Sequence, residues 1–121
     1  MGTFRIGCKI QHIAESNKTA NVEDLVVDAG SCHTWLPGSV LNKLGVERMK
    51  NGVVFSQSGK RICRSVGYSV IRCGEFKTVD EVVFAEPGDV LVLGFRTLSG
   101  FNAVVDSKKK KLVAAGPVLV A

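Results

Sequence analysis

The chain predicts an all-β fold, a small closed barrel carrying one or two short helices. Two observations lead there. Apolar and polar residues alternate with a period of two over most segments, which is the pattern of half-buried strands. Helical spacing is confined to two short stretches, too little to cover the faces of a doubly wound sheet.

In chain order, Phe4, Ile6, Cys8 and Ile10 fall on one face of a first strand, with Thr3, Arg5, Gly7 and Lys9 on the other. NKTAN (17–21) supplies turn residues, so residues 3–14 and 21–28 are expected to form a hairpin. PGSVLNKLG (37–45) reads as a helix, with Pro at its start, Val40, Leu41 and Leu44 on one face, and Gly45 as its stop. Val66, Tyr68 and Val70 alternate with Gly67 and Ser69 in a later strand, where Tyr68 is expected half-buried. RCGEF (72–76) turns tightly at Gly74 into FKTVDEVVF, and EPGD (86–89) is a second turn signal. FRTLSG (95–100) has room for one or two helical turns, with Phe95 and Leu98 at i, i+3. EDLVVDAGS and GDVLVLGF each run from an acidic turn through aliphatics to a glycine bend, a pseudo-repeat hinting at a rough two-fold axis within the lobe. No Gly/Ser linker or low-complexity tract interrupts the 121 residues, so one domain is expected.

The net charge is +5, but Lys108, Lys109, Lys110 and Lys111 supply four of those charges and leave +1 for everything else. They sit in DSKKKK, between the apolar runs FNAVV and LVAAGPVLV, where a solvated hairpin turn is expected. Nucleic-acid binders spread basic residues over a face, so nucleic acid is not an expected partner. No apolar run approaches the ~20 residues that span a bilayer, and no membrane partner is expected. MGTFRIGCK carries charge within its apolar part, and Ile6 stands where a myristoylation pattern needs Ser or Thr. A cytoplasmic location follows as the expectation. Cys8, Cys32, Cys63 and Cys73 form no CxxC and are expected as buried or free thiols, with Cys8 in the core. Cys32 and His33 are adjacent and diverge on an extended chain, so no metal is expected, and no other cofactor either.

The stretch that carries chemistry is LVVDAGS (25–31), where an apolar strand runs into a single carboxylate and then a small-residue turn. Taken alone it allows either an ordinary turn aspartate or a carboxylate presented for catalysis. Around it stands an ordered set: Trp35-Leu36-Pro37, a helix ending in Leu44-Gly45-Val46, then Val92-Leu93-Gly94 followed by Thr97-Leu98, and Ala103-Val104-Val105-Asp106 before Leu112-Val113. Over roughly residues 3–115 the chain resembles the retropepsin-like aspartic proteases, the single-lobe relatives of retroviral protease and of pepsin's half-molecule.

The resemblance implies an acid-protease barrel and an endopeptidase active as a homodimer on peptide or protein substrates. Each chain contributes one Asp28, and two carboxylates about 3 Å apart share a proton, splitting their pKa values. It implies that Gly30 lets the backbone fold behind the carboxylate and that the Ser31 hydroxyl sits beside it. Gly94 packs behind the active loop, and the segment from Phe55 through Gln57, Ser58, Gly59 and Lys60 forms the flap that closes on substrate. Ala29 departs from the family pattern, which places Thr or Ser there to hydrogen-bond across the dimer axis. The lost bonds are each worth ~0.5–1.5 kcal/mol, so a weaker dimer or looser dyad is expected. The same departure supports an alternative, a catalytically weak or inactive domain serving as a peptide-binding or dimerisation module. MGTFR and PVLVA are expected at the dimer contact, with the Pro117 strand peripheral. Trp35 is expected to pack at the loop's edge, His12 to be satisfied at a strand end, and Asp80 and Asp106 to be turn or surface residues.

Overall fold

The period-two alternation becomes strand almost everywhere. In the computed structural model, which describes residues 4–116, β1 (Arg5–Gln11), β2 (Thr19–Val27) and β3 (Thr34–Pro37) precede α1 (Gly38–Lys43). There follow β4 (Lys50–Gln57), β5 (Lys60–Cys73), β6 (Phe76–Ala85), β7 (Val92–Leu93), α2 (Phe95–Phe101), β8 (Ala103–Asp106) and β9 (Lys111–Ala114). The fold is all-β with two short helices. Of the expected dimer ends, residues 1–3 and 117–121 lie outside the described residues. Among the described residues no helix is long and apolar enough to cross a membrane.

Seven strands form one sheet in the order β1-β2-β7-β3-β6-β5-β4, with β1 also paired to β5; β8 and β9 form a separate hairpin. The consecutive strands β2 and β3 do not pair with each other. β7, from far along the chain, lies between them, parallel to β2 and antiparallel to β3. The loop joining β2 to β3 must therefore arch over the end of β7. The two halves of the pseudo-repeat thus lie side by side, with Val26 opposite Val92 and Val27 opposite Leu93.

The β1–β2 hairpin forms as expected, but its turn comes earlier. β1 stops at Gln11 because His12 Nδ1 accepts the amides of Ala14 (3.1 Å) and Glu15 (3.0 Å), which turns the chain. Of NKTAN, Thr19, Ala20 and Asn21 already pair with β1. α1 and α2 occupy the two stretches with helical spacing. Phe95, however, is 54% exposed, and α2 buries Thr97, Leu98 and Phe101 instead. The lysine run is a hairpin turn, with Asp106 Oδ1 accepting the Lys109 amide at 3.0 Å. The main core gathers Cys8, Ile10, Leu25, Leu36, Leu41, Ile71, Phe84 and Leu93. A smaller cluster of Trp35, Val66, Val83, Ala85 and Val92 lies on the flank covered by Phe55 and Ile62.

Candidate active site

Asp28 begins where β2 ends. Val27 is buried, and the β2–β7 pairing runs on through Val26 N to Leu91 O (3.0 Å) and Asp28 N to Leu93 O (3.1 Å). The chain then turns on the carboxylate itself: Gly30 N donates to Asp28 Oδ1 (2.9 Å) and Ser31 N to Asp28 O (3.1 Å). This is an Asx-type turn, the local structure that Asp and Gly favour. The start of α2 ties down the far side, with Phe95 N donating to Ser31 O (2.7 Å) and Arg96 N to Cys32 O (3.1 Å). The backbone around Asp28 is held from both ends while its side chain is exposed. Among the described residues no cation forms an ion pair with it.

Under the loop runs a buried polar relay. Gly94 N donates to Thr34 Oγ1 (3.0 Å), Thr34 and Thr97 share a hydroxyl contact of 2.6 Å, and Thr97 Oγ1 donates to Asp80 Oδ2 (2.8 Å). Asp80 also accepts the Glu81 amide at 2.7 Å and faces Arg96 Nε at 3.7 Å. Asp80 is thus a buried anchor and not the turn or surface residue its sequence context suggested. The hydroxyls satisfy groups that would each cost ~1–3 kcal/mol if left bare. Gly94 packs where the loop crosses: a Cβ there would lie against the His33 carbonyl oxygen and 2.9 Å from Ser31 O.

Two of the expected local roles differ. The Ser31 hydroxyl donates to His33 O (3.3 Å) and makes no hydrogen bond to Asp28. A Cβ at Gly30 would meet only Asp28 Oδ1, at 3.2 Å, so the glycine spares the carboxylate itself and not a crowded backbone.

A cleft of about 280 Å³ opens over Asp28, lined by Ser31, Trp35, Gln57, Ser58 and Val90 among others. Its roof is the β4–β5 hairpin, which turns on two residues with positive φ, Ser58 (53°) and Gly59 (77°). That is the type I′ geometry matched to strand twist. Gly59 and Lys60 belong to the hairpin but not to the cleft wall, whereas Ser56, Gln57 and Ser58 line it. Trp35 is buried and meets Phe55 edge-on at 5.3 Å, so it serves core and cleft at once.

The hairpin is tied to the 86–90 loop at two points. Gln57 donates from Nε2 to Val90 O (3.0 Å) and accepts the Val90 amide on Oε1 (2.9 Å). Lower down, Arg64 grips Asp89 with Nε (2.7 Å) and Nη2 (2.8 Å), the two-pronged geometry of strong charge-assisted pairs. The Arg64 hydrogen bonds hold the Asp89 carboxyl below its usual range, burial opposing and the Glu86 amide assisting.

Beside the loop, Glu81 gathers His33 Nε2 (3.0 Å), Tyr68 OH (3.1 Å), Lys50 Nζ (3.4 Å) and Arg96 Nη1 (3.4 Å). Burial pushes its carboxyl up, but the hydrogen bonds from His33 and Tyr68 and the Lys50 charge outweigh it and hold it low. His33 Nε2 also lies 3.2 Å from Arg96 Nη1. Protonated, that nitrogen donates to Glu81; bare, it accepts from Arg96.

These two depressed carboxyls fix a sign. A folded-state pKa below the unfolded one gives stability that is full above the ordinary carboxylate range near ~4 and is lost as pH falls from there through the depressed folded-state value. Melting temperature is therefore expected to drop steeply below about pH 4. Asp89→Asn should flatten part of that slope and cost about 1–2 kcal/mol at neutral pH. Thermal melts across pH check this; an unchanged acid slope in the variant would show that the Arg64 pair contributes nothing.

The loop, Asp28 and the hairpin thus come together at one cleft, with Gly94 packed beneath the loop. Sequence reading did not single out Thr34, Glu81 or the Gln57–Val90 contact, and it gave neither Thr97 nor His33 a place in the site. The available signals were hydroxyls at buried phases of apolar runs (TWLP, FRTL) and an acidic pair inside TVDEVVF. Among the described residues no group of three His, Cys, Asp or Glu is arranged to hold a metal. No protein-family model matches the chain, and no curated protein matches it in sequence.

Proposed function

We propose that the chain is a retropepsin-like aspartic endopeptidase, a closed acid-protease barrel that acts as a homodimer in the cytoplasm. The carrying observation is one unpaired, exposed carboxylate, fixed on a hydrogen-bonded turn at the floor of a cleft roofed by a hairpin. One lobe holds one such acid, and a second copy brings its Asp28 alongside. The exposed Ala29, next to Asp28, and the exposed Phe95, tied to the same loop through Ser31 O, give that contact apolar area. Of the two carboxylates, the ionised one takes a proton from a water held between them, and the water attacks the peptide carbonyl. The protonated one donates to the developing oxyanion. An extended peptide lies under the hairpin and pairs with backbone in the manner of strand addition, with side-chain pockets setting preference.

Opening the roof requires Gln57 to leave Val90. Gln57→Ala is expected to speed exchange of the Val90 amide by roughly five- to tenfold, the worth of about one net hydrogen bond. Exchange read by NMR checks it, and an unaltered rate would mean the contact does not hold the flap.

Ala29 supports the second reading, a peptide-binding module without turnover. Digestion of a broad peptide library between acidic and neutral pH, read by mass spectrometry with and without pepstatin, separates the two. Pepstatin-sensitive cleavage is the expected result. Peptide retention with no cut product at any pH would favour the module.

A further inference from the structure

Two of the four cysteines face each other across a sheet pairing. β1 and β5 run antiparallel with Lys9 opposite Arg72, Ile10 opposite Ile71 and Gln11 opposite Val70. One step further along that register puts Cys8 opposite Cys73. Directly opposed residues of antiparallel strands have Cα atoms about 4.5–5.5 Å apart, inside the ~4.4–6.8 Å that a disulfide spans. The side chains point the same way: Cys8 Sγ lies 3.0 Å from Cys73 Sγ, and both are free thiols. Cys32 and Cys63 are exposed and differ in this respect, since Cys63 has Val54 opposite it.

We propose that Cys8 and Cys73 are a redox pair, forming a reversible disulfide between β1 and β5 by exchange with a small-molecule disulfide of the glutathione type.

The contacts set the order of events. Cys8 Sγ donates to Cys73 Sγ, which also lies 3.3 Å from Gly7 O. The hydrogen bond from Cys8 lowers the Cys73 thiol from its ordinary value, against burial, whereas the same contact and burial push Cys8 up. Cys73 is therefore the attacking thiolate. It displaces one thiolate from the small disulfide and becomes the mixed disulfide. The Cys8 proton passes to the released thiolate, and Cys8 sulfur then attacks Cys73 Sγ and expels the second thiolate, which takes up the proton Cys73 gave to solvent. Two protein thiols are oxidised to one disulfide, and one small disulfide is reduced to two thiols. Access comes from both sides. Cys8 lines an open groove of about 550 Å³ whose wall carries two cations suited to an anionic thiol reagent, Lys9 and Arg72, beside one carboxylate, Glu23. Cys73 lines a second, of about 330 Å³, beside Gly74 and Phe76. Exposure of each residue is only 4%, which slows exchange without altering where it settles.

The bond would close a loop with 65 residues of separation and staple the β1–β5 pairing, which rests on three residue pairs. By restricting the unfolded chain, it is expected to raise the melting temperature by about 10 °C. The inference is independent of proteolysis.

The test uses the full chain carrying Cys32→Ser and Cys63→Ser, so that only the facing pair can react. After equilibration with oxidised glutathione, mass spectrometry should show the loss of two hydrogens and a linked peptide containing Cys8 and Cys73. Melting should rise, and dithiothreitol should reverse both. Persistent reduced thiols, a stable glutathione adduct, dimers linked between chains, or a linked product that melts like the reduced protein would each overturn the proposal. Adding Cys8→Ser should leave one glutathione on Cys73, and no adduct there would overturn the assigned order of attack.

Discussion

Asp28→Asn is expected to reduce peptide hydrolysis by at least about 10³-fold, the upper part of the range for losing positioned acid–base chemistry. The fold should not suffer. Asparagine keeps an oxygen where Gly30 N now donates at 2.9 Å, so the turn retains its hydrogen bond. The side chain is exposed and pairs with no cation among the described residues, so stability should change by less than about 1 kcal/mol. What disappears is the capacity to carry a proton: neither amide can accept one from water, and neither can share one with its twin. Sedimentation should report the same dimer mass as the parent chain. A variant that still cuts peptides at the parent rate would remove Asp28 from the mechanism. The companion change, Ala29→Thr, supplies the hydroxyl that retropepsin-like proteases carry at the matching place, and under the proposed function it should tighten the dimer by ~0.5–1.5 kcal/mol for each bond formed. Concentration-dependent sedimentation of the two proteins gives that difference directly.

What sequence reading captured here is local, and what it missed is long-range. The β1–β2 hairpin, both helices, the Gly74 turn and the lysine-run turn all follow from residues within a few positions of one another. The insertion of β7 between β2 and β3 does not, because Val92 meets Val26 only after β3, α1, the β4–β5 hairpin and β6 intervene. Asp80 shows the same divide. Its neighbours in sequence suggested a turn or surface residue, yet its partners Thr97 and Arg96 arrive from α2. Phe95 fails in the other direction. The i, i+3 spacing with Leu98 gives the right helix, but the first turn of α2 is used to hold Ser31 and Cys32, which leaves Phe95 outside. For the site, the turn after Asp28 was readable from small-residue and turn chemistry, whereas a hairpin around residues 55–60 was expected from the family resemblance alone, and the β4–β5 hairpin lies there. The direction of the Ser31 hydroxyl was not, since the His33 carbonyl that accepts it belongs to the loop's folded path.

Gly94→Ala is expected to cost about 3 kcal/mol, at the high end for overpacking a filled site, and to lower melting by roughly 10–15 °C. Backbone conformation is not the reason. Gly94 has φ −95° and ψ 177°, an extended geometry any residue adopts. Space is the reason: the added carbon would press on the His33 carbonyl, lying 2.6 Å from its carbon, and sit 2.9 Å from Ser31 O. These are main-chain atoms, so no side chain can swing away to relieve the contact. Either β7 retreats, stretching the Gly94–Thr34 hydrogen bond of the buried relay, or the 31–33 loop lifts and carries Asp28 with it. Both outcomes link stability to the position of the carboxylate. Gly30→Ala is the informative contrast, because its Cβ meets only the Asp28 oxygen, at 3.2 Å. That change should cost less than about 1 kcal/mol in stability while displacing the carboxylate and lowering turnover. Urea titrations with unchanged m-values would report the stability difference between the two variants. Equal midpoints would mean that the active loop does not rest on β7, and that Asp28 is held in place by something other than the strand threaded beneath it.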